Sequence, residues 1–363
     1  MRWKTVLGLG ALGVAGSTAL AGVGLGFAGY GLYRRLRSGE SLHGKTALIT
    51  GGSRGLGLVL AHEFARHGAR LVICARDQAE LQRAEASLVS QGGQVLSISC
   101  DVTVQEEVQS MVAQATGRFG AIDILINNAG VIAVGSLESQ TITDFQEAMD
   151  VMFWGTVYPT LAVLPQMKRR GQGHIANITS IGGKVSIPHL LPYCSAKFAA
   201  VGFSEGLRAE LAKSGVKVTT VVPGLMRTGS HINAYFKGNN QQEYTWFSMG
   251  ATLPLVSMDA RRAARRIVAA VRRGQAEVIL TPQAKALALA HGVAPGLTAD
   301  LLGLVNRVLP EAGDASTRHL GRNSETALTR SFLTKLGQDA AQDFNQQSPS
   351  GAAGDPGTIA ALA

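Results

Sequence analysis

The middle of the chain alternates between short apolar runs and longer segments with a helical period. The apolar runs are rich in β-branched residues, which is typical of strands buried on both faces. The predicted strands are residues 45–50, 70–75, 94–100, 122–126, 174–179, 217–222 and 277–280. The predicted helices are residues 56–66, 79–90, 104–116, 143–169, 194–213 and 260–272. This alternation predicts an α/β fold with a doubly wound parallel sheet and helices on both of its faces.

The pattern changes once inside the alternating region and again after it. Residues 38–283 are predicted to form one domain, in which residues 225–257 interrupt the alternation as a candidate lid. Residues 284–334 are expected to form a helical extension. Residues 335–363 lose clear periodicity and end in a stretch rich in Gly, Ala, Ser and Pro, so we expect a disordered tail.

The beginning of the chain is apolar enough to cross a membrane. Residues 5–33 are 29 consecutive residues without a charge, and basic residues flank them on both sides. As a helix this segment would be about 43 Å long, against about 30 Å for the hydrocarbon core of a bilayer. We therefore predict a single-pass transmembrane helix in a membrane anchor of residues 1–37, with the following domain on the cytoplasmic side. The flanking charges do not decide the orientation.

Two other interpretations of this segment remain. A cleaved signal peptide would use Ala19, Leu20 and Ala21 as its cleavage site and leave a soluble chain that begins near Gly22. The apolar run is longer than the 7 to 15 residues usual in such peptides. A helix buried inside a soluble protein is the second alternative, and the basic residues at both ends argue against it.

Composition and charge limit the classes of partner. The chain has 34 Lys and Arg against 25 Asp and Glu, a net charge of +9. This charge suits an anionic membrane surface, and no nucleic-acid-binding motif accompanies it, so we expect no nucleic-acid partner. The three cysteines, Cys74, Cys100 and Cys194, lack metal-ligand spacing, which predicts reduced packing residues and no metal site.

A glycine-rich turn joins the first predicted strand to the first predicted helix. Glycines at such a turn let the backbone approach a pyrophosphate, which then lies at the helix N-terminus. The spacing is GxxxGxG, and by itself it is equally consistent with a simple turn. As a cofactor site it predicts a Rossmann-type fold. The residues assigned to it are Thr50, Gly51, Ser53, Arg54, Gly55, Leu56 and Gly57.

The end of the second predicted strand bears on the choice of cofactor. An acidic residue at this position selects NAD through the ribose hydroxyls, whereas a cation accommodates the 2′-phosphate of NADP. Arg76 follows the strand, and Arg54 lies in the glycine-rich turn. We therefore predict NADP(H) rather than NAD(H). Asp77 is the counter-argument, because a shift of one residue would place its carboxylate at the ribose.

Three further residues form a candidate catalytic set. Tyr193 and Lys197 are four residues apart at the start of a predicted helix, so they share one helical face. An ammonium beside a phenol stabilises the phenolate and lowers the phenol pKa toward neutral pH. Ser180 follows the preceding strand, and its hydroxyl could hold a substrate carbonyl oxygen. A surface tyrosine stacked on a lysine stem is the alternative explanation of the spacing.

Taken together, these motifs resemble the short-chain dehydrogenase/reductase family from about residue 42 to residue 283. The resemblance implies that Tyr193 is the proton donor, that Lys197 binds the nicotinamide ribose and lowers the phenol pKa, and that Ser180 orients the carbonyl. It also implies further cofactor contacts. Asp101 and Val102 would lie at the adenine, Asn128, Ala129 and Gly130 at the adenosine ribose, and Pro223, Gly224 and Thr228 near the nicotinamide carboxamide.

One position departs from the family pattern. The family usually has an asparagine in the helix before Ser180, where it helps hold a water that relays protons to the lysine. Here the corresponding residue is Met152, within the stretch of residues 151–155. Methionine cannot make this side-chain contact, so the resemblance implies a relay through backbone and water, or reduced activity.

The predicted substrate is a lipophilic carbonyl or secondary alcohol of the steroid, retinoid or fatty-acyl type. Five aromatic residues lie in the candidate lid, and the segment between Ser180 and Tyr193 is apolar. Aromatic residues packed into an ordinary core are the alternative. Membrane lipid is the other expected partner, and the sequence leaves a homodimer open. Two other functions stay open: a non-catalytic cofactor-binding scaffold or redox sensor, and an NAD-linked dehydrogenase of a soluble alcohol. The lid aromatics are Tyr235, Phe236, Tyr244, Trp246 and Phe247.

Overall fold

The computed structural model describes residues 39–347 except residues 255, 314–316 and 332–333. From Ser41 onward the chain forms one compact unit. The predicted anchor of residues 1–37 lies outside the described residues. Among the helices of the described part, none is both long enough and apolar enough to span a membrane.

Seven parallel strands form the central sheet and confirm the predicted Rossmann-type architecture. The strand order is β11-β7-β6-β4-β1-β2-β3, so the chain reverses its direction of travel between β1 and β4. In folds of this kind the ligand lies at the carboxyl ends of the strands at this switch point. The strands are β1 Thr46–Thr50, β2 Arg70–Ala75, β3 Val95–Ser99, β4 Ile124–Asn127, β6 Gly173–Ile178, β7 Val216–Val222 and β11 Glu277–Ile279.

Helices cover both faces of this sheet, each with its own hydrophobic core. One core packs α1 and α8 against the sheet, with Phe64 and Ile267 fully buried. The other packs α3, α5 and α6 against the opposite face, with Met111 and Val163 fully buried. The covering helices are α1 Gly55–Arg66, α2 Gln78–Val89, α3 Gln105–Phe119, α4 Ile142–Met149, α5 Gly155–Arg170, α6 Leu191–Glu210 and α8 Ala260–Arg273.

The single helix predicted for residues 143–169 is wrong in one respect. Helices α4 and α5 are joined by a π-helical turn, Asp150–Trp154. A π turn widens the helix by one residue, and such turns occur mostly at functional sites. Because of the extra residue, the side chains around Met152 face different directions than they would in a regular α-helix. The apolar periodicity of the sequence does not predict this turn.

The candidate lid is a folded segment with its own small core. It contains β8 Met226–Arg227, β9 Tyr235–Phe236, α7 Asn240–Thr252 and β10 Met258–Asp259. Strand β9 pairs with two others, β5 Ala133–Val134 and β12 His319–Leu320, in a small second sheet. Phe236, Tyr244 and Phe247 are buried in the core beneath this sheet. For these three aromatics the alternative of ordinary core packing is therefore the correct one.

The chain after β11 continues as a helical hairpin and a final short helix. The hairpin consists of α9 Pro282–Val293 and α10 Pro295–Asn306, and the final helix is α11 Lys335–Asp343. The expected disorder of residues 335–363 is thus wrong for α11 and the residues directly after it. Ala341 is fully buried, and Phe344 packs into the core beside α8. Residues 348–363 lie outside the described residues.

His174 on β6 predicts a pH-dependent stability. It is buried, its ring nitrogen hydrogen-bonds to the Thr219 hydroxyl at 2.9 Å, and burial lowers its pKa to about 3. The unfolded chain takes up this proton below about pH 6.5, whereas the folded chain does not, so the free energy of unfolding falls as the pH decreases from 6.5. We expect His174→Gln to reduce the drop in melting temperature between pH 7 and pH 5. Equal drops for the two proteins would contradict this role.

Candidate active site

Ser180, Tyr193 and Lys197 meet at the carboxyl end of β6. Ser180 follows the strand, and its hydroxyl accepts a hydrogen bond from the Gly182 amide at 3.0 Å. The Tyr193 ring and the Ser180 hydroxyl lie side by side, 3.2 and 3.4 Å from the place where a Cβ of Gly182 would be. Tyr193 and Lys197 lie on α6, which begins at Leu191 with Pro192 in its first turn. The structure thus brings the three predicted catalytic residues together.

Lys197 is fixed by a backbone carbonyl and by the tyrosine ring. Its Nζ donates to the Ile178 carbonyl at 2.9 Å and lies 5.8 Å from the centroid of the Tyr193 ring. Lys197 is only 5% exposed, and this burial lowers its pKa to about 8. The ammonium therefore lies over the ring and away from solvent. With a pKa of about 8 it is still mostly charged at neutral pH.

The phenol pKa does not follow the expectation from the sequence. Burial raises the pKa of Tyr193 to about 12, although its hydrogen bond with Ser180 acts in the opposite direction. The sequence predicted that Lys197 lowers the phenol pKa, but Lys197 is not among the causes of this shift. The desolvation of the phenolate dominates. Tyr193 is consequently a neutral phenol at neutral pH, which is the form that can donate a proton.

Met152 occupies the region where the family pattern has an asparagine. It is 1% exposed and packs with Ala148, Ala196 and the ring of Tyr193. Its carbonyl accepts a hydrogen bond from the Thr156 hydroxyl at 2.9 Å. The side chain therefore adds apolar surface beside the catalytic tyrosine and supplies no polar group there.

The glycine-rich turn after β1 is held in place by Asn128. The Asn128 side-chain amide donates to the carbonyls of Thr50 and Gly51, both at 3.0 Å. The Thr50 hydroxyl in turn accepts from the amides of Asn128 and Ala129 at 3.0 and 3.1 Å. Because these bonds use the side chains of Thr50 and Asn128, the two residues position the turn. The resemblance alone would have put Asn128 at the adenosine ribose.

Glycine is required at two places in this turn. Gly55 begins α1 with φ +55°, a left-handed conformation that other residues adopt at a cost. A Cβ at Gly57 would lie 2.0 Å from the Gly51 carbonyl oxygen, so only glycine permits the close packing of α1 on the turn. Between these two glycines lies Leu56, which is buried.

The predicted adenine end carries the candidate charge selectors. The Arg76 side chain is 69% exposed, and its guanidinium lies 3.7 Å from the carboxylate of Asp101. Asp101 also accepts from the Thr103 amide, and Val102 beside it is buried. The Asp77 carboxylate caps α2 by accepting from the Glu80 amide at 2.8 Å. Thus Asp77 is engaged by its own helix.

Arg54 is less free than the sequence suggested. Its guanidinium is 2.8 Å from the Glu80 carboxylate, and the Ser53 hydroxyl donates to the same carboxylate at 3.0 Å. Both side chains of the glycine-rich turn are therefore tied to α2. This arrangement gives the turn a fixed shape and leaves Arg76 as the more exposed of the two predicted phosphate partners.

The loop after β7 forms the opposite wall of the cofactor groove. The Pro223 carbonyl accepts from the Ile181 amide at 2.8 Å, which joins this loop to the turn after Ser180. A Cβ at Gly224 would lie 2.7 Å from the Thr281 hydroxyl, so Gly224 packs directly against the start of α9. Thr228 is 5% exposed, and its hydroxyl bonds to that of Ser230 at 3.0 Å.

The substrate side contains a buried polar link that sequence reasoning missed. His189 has φ +63° and its Nδ1 lies 2.6 Å from the Glu243 carboxylate on α7. The Trp246 indole donates to the other oxygen of Glu243, also at 2.6 Å. These bonds fasten the segment before Tyr193 to the candidate lid. No motif indicates them, because His189 and Glu243 are far apart in sequence.

A pocket of about 470 Å³ adjoins this segment. Its walls include Val185, Ile187 and Leu191 on one side and Leu302 on α10 on the other. Ile187 and Tyr193 both pack against the small core beneath the second sheet. The apolar approach predicted between Ser180 and Tyr193 therefore contributes to a cavity that the C-terminal hairpin partly covers.

Comparison with known proteins places the chain in a family. The family described as short chain dehydrogenase matches residues 45–236. The chain belongs to this short-chain dehydrogenase/reductase family and is therefore a dehydrogenase or reductase acting on CH–OH or C=O groups with a nicotinamide cofactor.

Individual relatives agree with this placement. A Mycobacterium tuberculosis protein designated oxidoreductase SadH is 36% identical over 251 residues, which are 68% of this chain and 90% of that protein. The 17-beta-hydroxysteroid dehydrogenase 13 of Rattus norvegicus is 36% identical over 193 residues, 52% of this chain and 64% of the relative. A short chain dehydrogenase/reductase from Burkholderia phymatum, solved in complex with NAD, shares the fold. Its TM-score is 0.65 at 24% identity, covering 71% of this chain and 96% of that chain.

Replacement of the catalytic phenol is the direct test of this site. Tyr193→Phe keeps the ring and removes the proton donor, so we expect turnover to fall by about 10²-fold or more. Binding of the cofactor should be unchanged, which a titration monitored by fluorescence would show. Tyr158→Phe is the matched control, because Tyr158 stacks on Trp154 at 5.5 Å, away from Ser180. Equal turnover of the two variants would rule out Tyr193 as the donor.

Proposed function

We propose that this protein is an NADP(H)-dependent carbonyl reductase or alcohol dehydrogenase with a lipophilic substrate, and that Tyr193 is its acid/base. The observation that carries the proposal is the grouping at the end of β6, where Ser180 lies beside the Tyr193 ring and the Lys197 ammonium lies over that ring. When bound, the cofactor supplies or accepts the hydride. The chain itself must then hold the carbonyl and move one proton.

Each residue has a distinct part in this reaction. Ser180 holds the substrate carbonyl oxygen beside the phenol, since its hydroxyl lies next to the Tyr193 ring. Tyr193 donates its proton to that oxygen as the alcohol forms. Lys197 keeps a positive charge beside the ring and so stabilises the phenolate left after the transfer. The Ile178 carbonyl orients the ammonium at 2.9 Å.

Two features of the adenine end support NADP(H) over NAD(H). Arg76 is largely exposed at the end of β2, where a cation accommodates the 2′-phosphate. Asp77 caps α2, so its carboxylate has a structural partner other than a ribose. Arg54 would need to leave Glu80 to reach the phosphate, which makes Arg76 the main candidate.

The lipophilic substrate is inferred from the walls of the approach to Tyr193. Val185, Ile187 and Leu191 line the pocket, and Ile187 packs against the same small core as Tyr193. Apolar walls with a few placed polar groups are typical of sites for apolar small molecules. The similar rat protein carries the name of a hydroxysteroid dehydrogenase, which agrees with a substrate of this class.

A membrane location is the second part of the proposal. The helical hairpin α9–α10 and the residues after it expose a stripe of large apolar side chains, unusual on a soluble surface. The side chain of Val293 is 78% exposed, and that of Leu297 is 62% exposed. This surface and the 29 uncharged residues near the N-terminus both suit a bilayer. The stripe comprises Leu289, Val293, Leu297, Leu301, Leu304, Val305 and Val308.

The alternatives make different demands on the same site. A non-catalytic scaffold or redox sensor would not need the phenol, and Met152 is the feature that favours it. The grouping of Ser180, Tyr193 and Lys197 at one strand end argues for catalysis instead. An NAD-linked dehydrogenase of a soluble alcohol would need a polar pocket, whereas Val185, Ile187, Pro188 and Leu191 make most of the segment before Tyr193 apolar.

The cofactor assignment can be tested by exchanging the charge at the end of β2. We expect the wild-type protein to reduce steroid, retinoid or long-chain carbonyls with NADPH in preference to NADH. Ala75→Asp combined with Arg76→Ala should shift the ratio of kcat/KM toward NADH by about tenfold or more, because one charged hydrogen bond is lost and a repulsion is added. Arg66→Ala is the control, since Arg66 is 65% exposed at the far end of α1. A wild-type preference for NADH would contradict the role of Arg76.

The membrane assignment can be tested by extraction and flotation. The full chain should stay with the bilayer through alkaline carbonate, whereas a protein attached only by basic surface charge would be released by salt. A chain that begins at Ser38 should lose this resistance but keep its nicotinamide-dependent activity. It should still float with anionic vesicles, and Val293→Lys with Leu301→Lys should abolish the flotation. A mature N-terminus near Gly22 in the soluble fraction would contradict the anchor.

A further inference from the structure

The residues after α11 contact the glycine-rich turn directly. The Phe344 carbonyl accepts a hydrogen bond from the Gly55 amide at 2.8 Å. Gly55 is the first residue of α1, and free amides at this end of such a helix are the groups that bind a pyrophosphate. The chain's own backbone thus acts as the acceptor at the position where the cofactor phosphate is expected.

Asn345 extends this contact along the turn. Its side-chain amide donates to the Ser53 carbonyl at 2.8 Å and to the Glu80 carbonyl at 3.1 Å. Its side-chain oxygen accepts from the Arg83 guanidinium at 2.8 Å. Asn345 is held in a left-handed conformation, φ +56°, which asparagine tolerates better than most residues. These bonds connect the segment to both the turn and α2.

Gln346 bridges to the opposite wall of the groove. Its side-chain amide donates to the Thr228 carbonyl at 3.2 Å, and both its oxygens accept from Asn233 at 2.8 Å. The same amide nitrogen is 2.6 Å from the place where a Cβ of Gly55 would be. Gln346 therefore fills the space between Gly55 and Thr228, which the cofactor must cross to reach Tyr193.

We propose that residues 344–346 and the pyrophosphate of the cofactor exclude one another, so that the C-terminal segment is an autoinhibitory strap. The proposal rests on the cofactor site assigned above. The Gly55 amide cannot serve the Phe344 carbonyl and a phosphate oxygen together, and Gln346 lies in the path between the two walls. Cofactor binding must therefore displace these residues.

The strap remains attached to the protein through the helix that precedes it. Ala340 and Ala341 on α11 are buried. Asp343, the last residue of α11, pairs with Arg261 at 3.0 Å. Because the strap is part of the same chain, it competes at a high effective concentration, and the apparent affinity for the cofactor is reduced by the fraction of molecules in which the groove is closed.

The test compares a double variant in the strap with a single variant at the next residue, both in the full chain. Asn345→Gly with Gln346→Ala removes the side-chain bonds of the strap and retains a backbone that tolerates positive φ. Gln347→Ala is the control, because Gln347 is exposed. In calorimetric titrations with NADPH and with NADH, we expect the double variant to bind the preferred cofactor about tenfold more tightly than wild type, and the control to bind like wild type. Equal or weaker binding by the double variant would overturn the strap.

A second measurement follows the strap without substitution. Hydrogen exchange of the peptide that spans residues 335–347 should become faster when wild-type protein is saturated with NADPH, since the segment leaves the groove. Slower exchange would mean that the segment closes over the cofactor and would overturn the proposal. If neither wild type nor the double variant bound NADPH or NADH, the cofactor assignment itself would be refuted. That result differs from equal binding by the two proteins, which would overturn only the strap.

Discussion

The side-chain amide of Asn128 joins the ends of β1 and β4, the two strands between which the chain changes the direction in which it adds strands to the sheet. The shape of the expected cofactor groove depends on this link. Strands β1 and β4 are parallel neighbours, so where they end, their last backbone groups lack a partner in the sheet. Asn128 provides that partner by donating to the carbonyls of Thr50 and Gly51. The glycine-rich turn and the chain after β4 therefore behave as one piece. Gly57 can then approach the Gly51 carbonyl closely enough for α1 to begin over the groove.

A second set of buried amides extends this order from the cofactor to the catalytic helix. Asn127 on β4 donates to Asn177 on β6 at 2.8 Å, and Asn177 donates to Ser204 on α6 at 3.0 Å. A buried polar group without a partner is costly, so this chain of bonds allows only one register between the two strands and the helix. The helix that carries Tyr193 and Lys197 is thereby fixed against the same strand ends as the glycine-rich turn.

The strands and the glycine-rich turn were predictable because their causes are local. A strand buried on both faces needs a continuous apolar run, and a turn against a phosphate needs glycine. Other features depend on contacts between distant residues. The π turn around Met152 shifts the helix by one residue, which apolar spacing does not record. The contacts of residues 344–346 use a carbonyl and two amide side chains, so this segment shows no periodicity. Tyr244 and Phe247 are buried in the small core with Phe236, a long-range contact that apolar spacing along α7 does not record.

Burial shifts the pKa values of Tyr193 and Lys197 in opposite directions. It raises the pKa of Tyr193 and lowers that of Lys197, because each shift avoids a charge in a poorly solvated place. A phenolate formed at Tyr193 has the Lys197 ammonium over its ring, and the ammonium in turn gains a counter-charge that it lacks while the phenol is neutral. The resting state, with neutral phenol and charged lysine, is the one that the proposed carbonyl reduction requires. In that reaction, proton transfer to the substrate would leave a phenolate directly beneath the Lys197 ammonium.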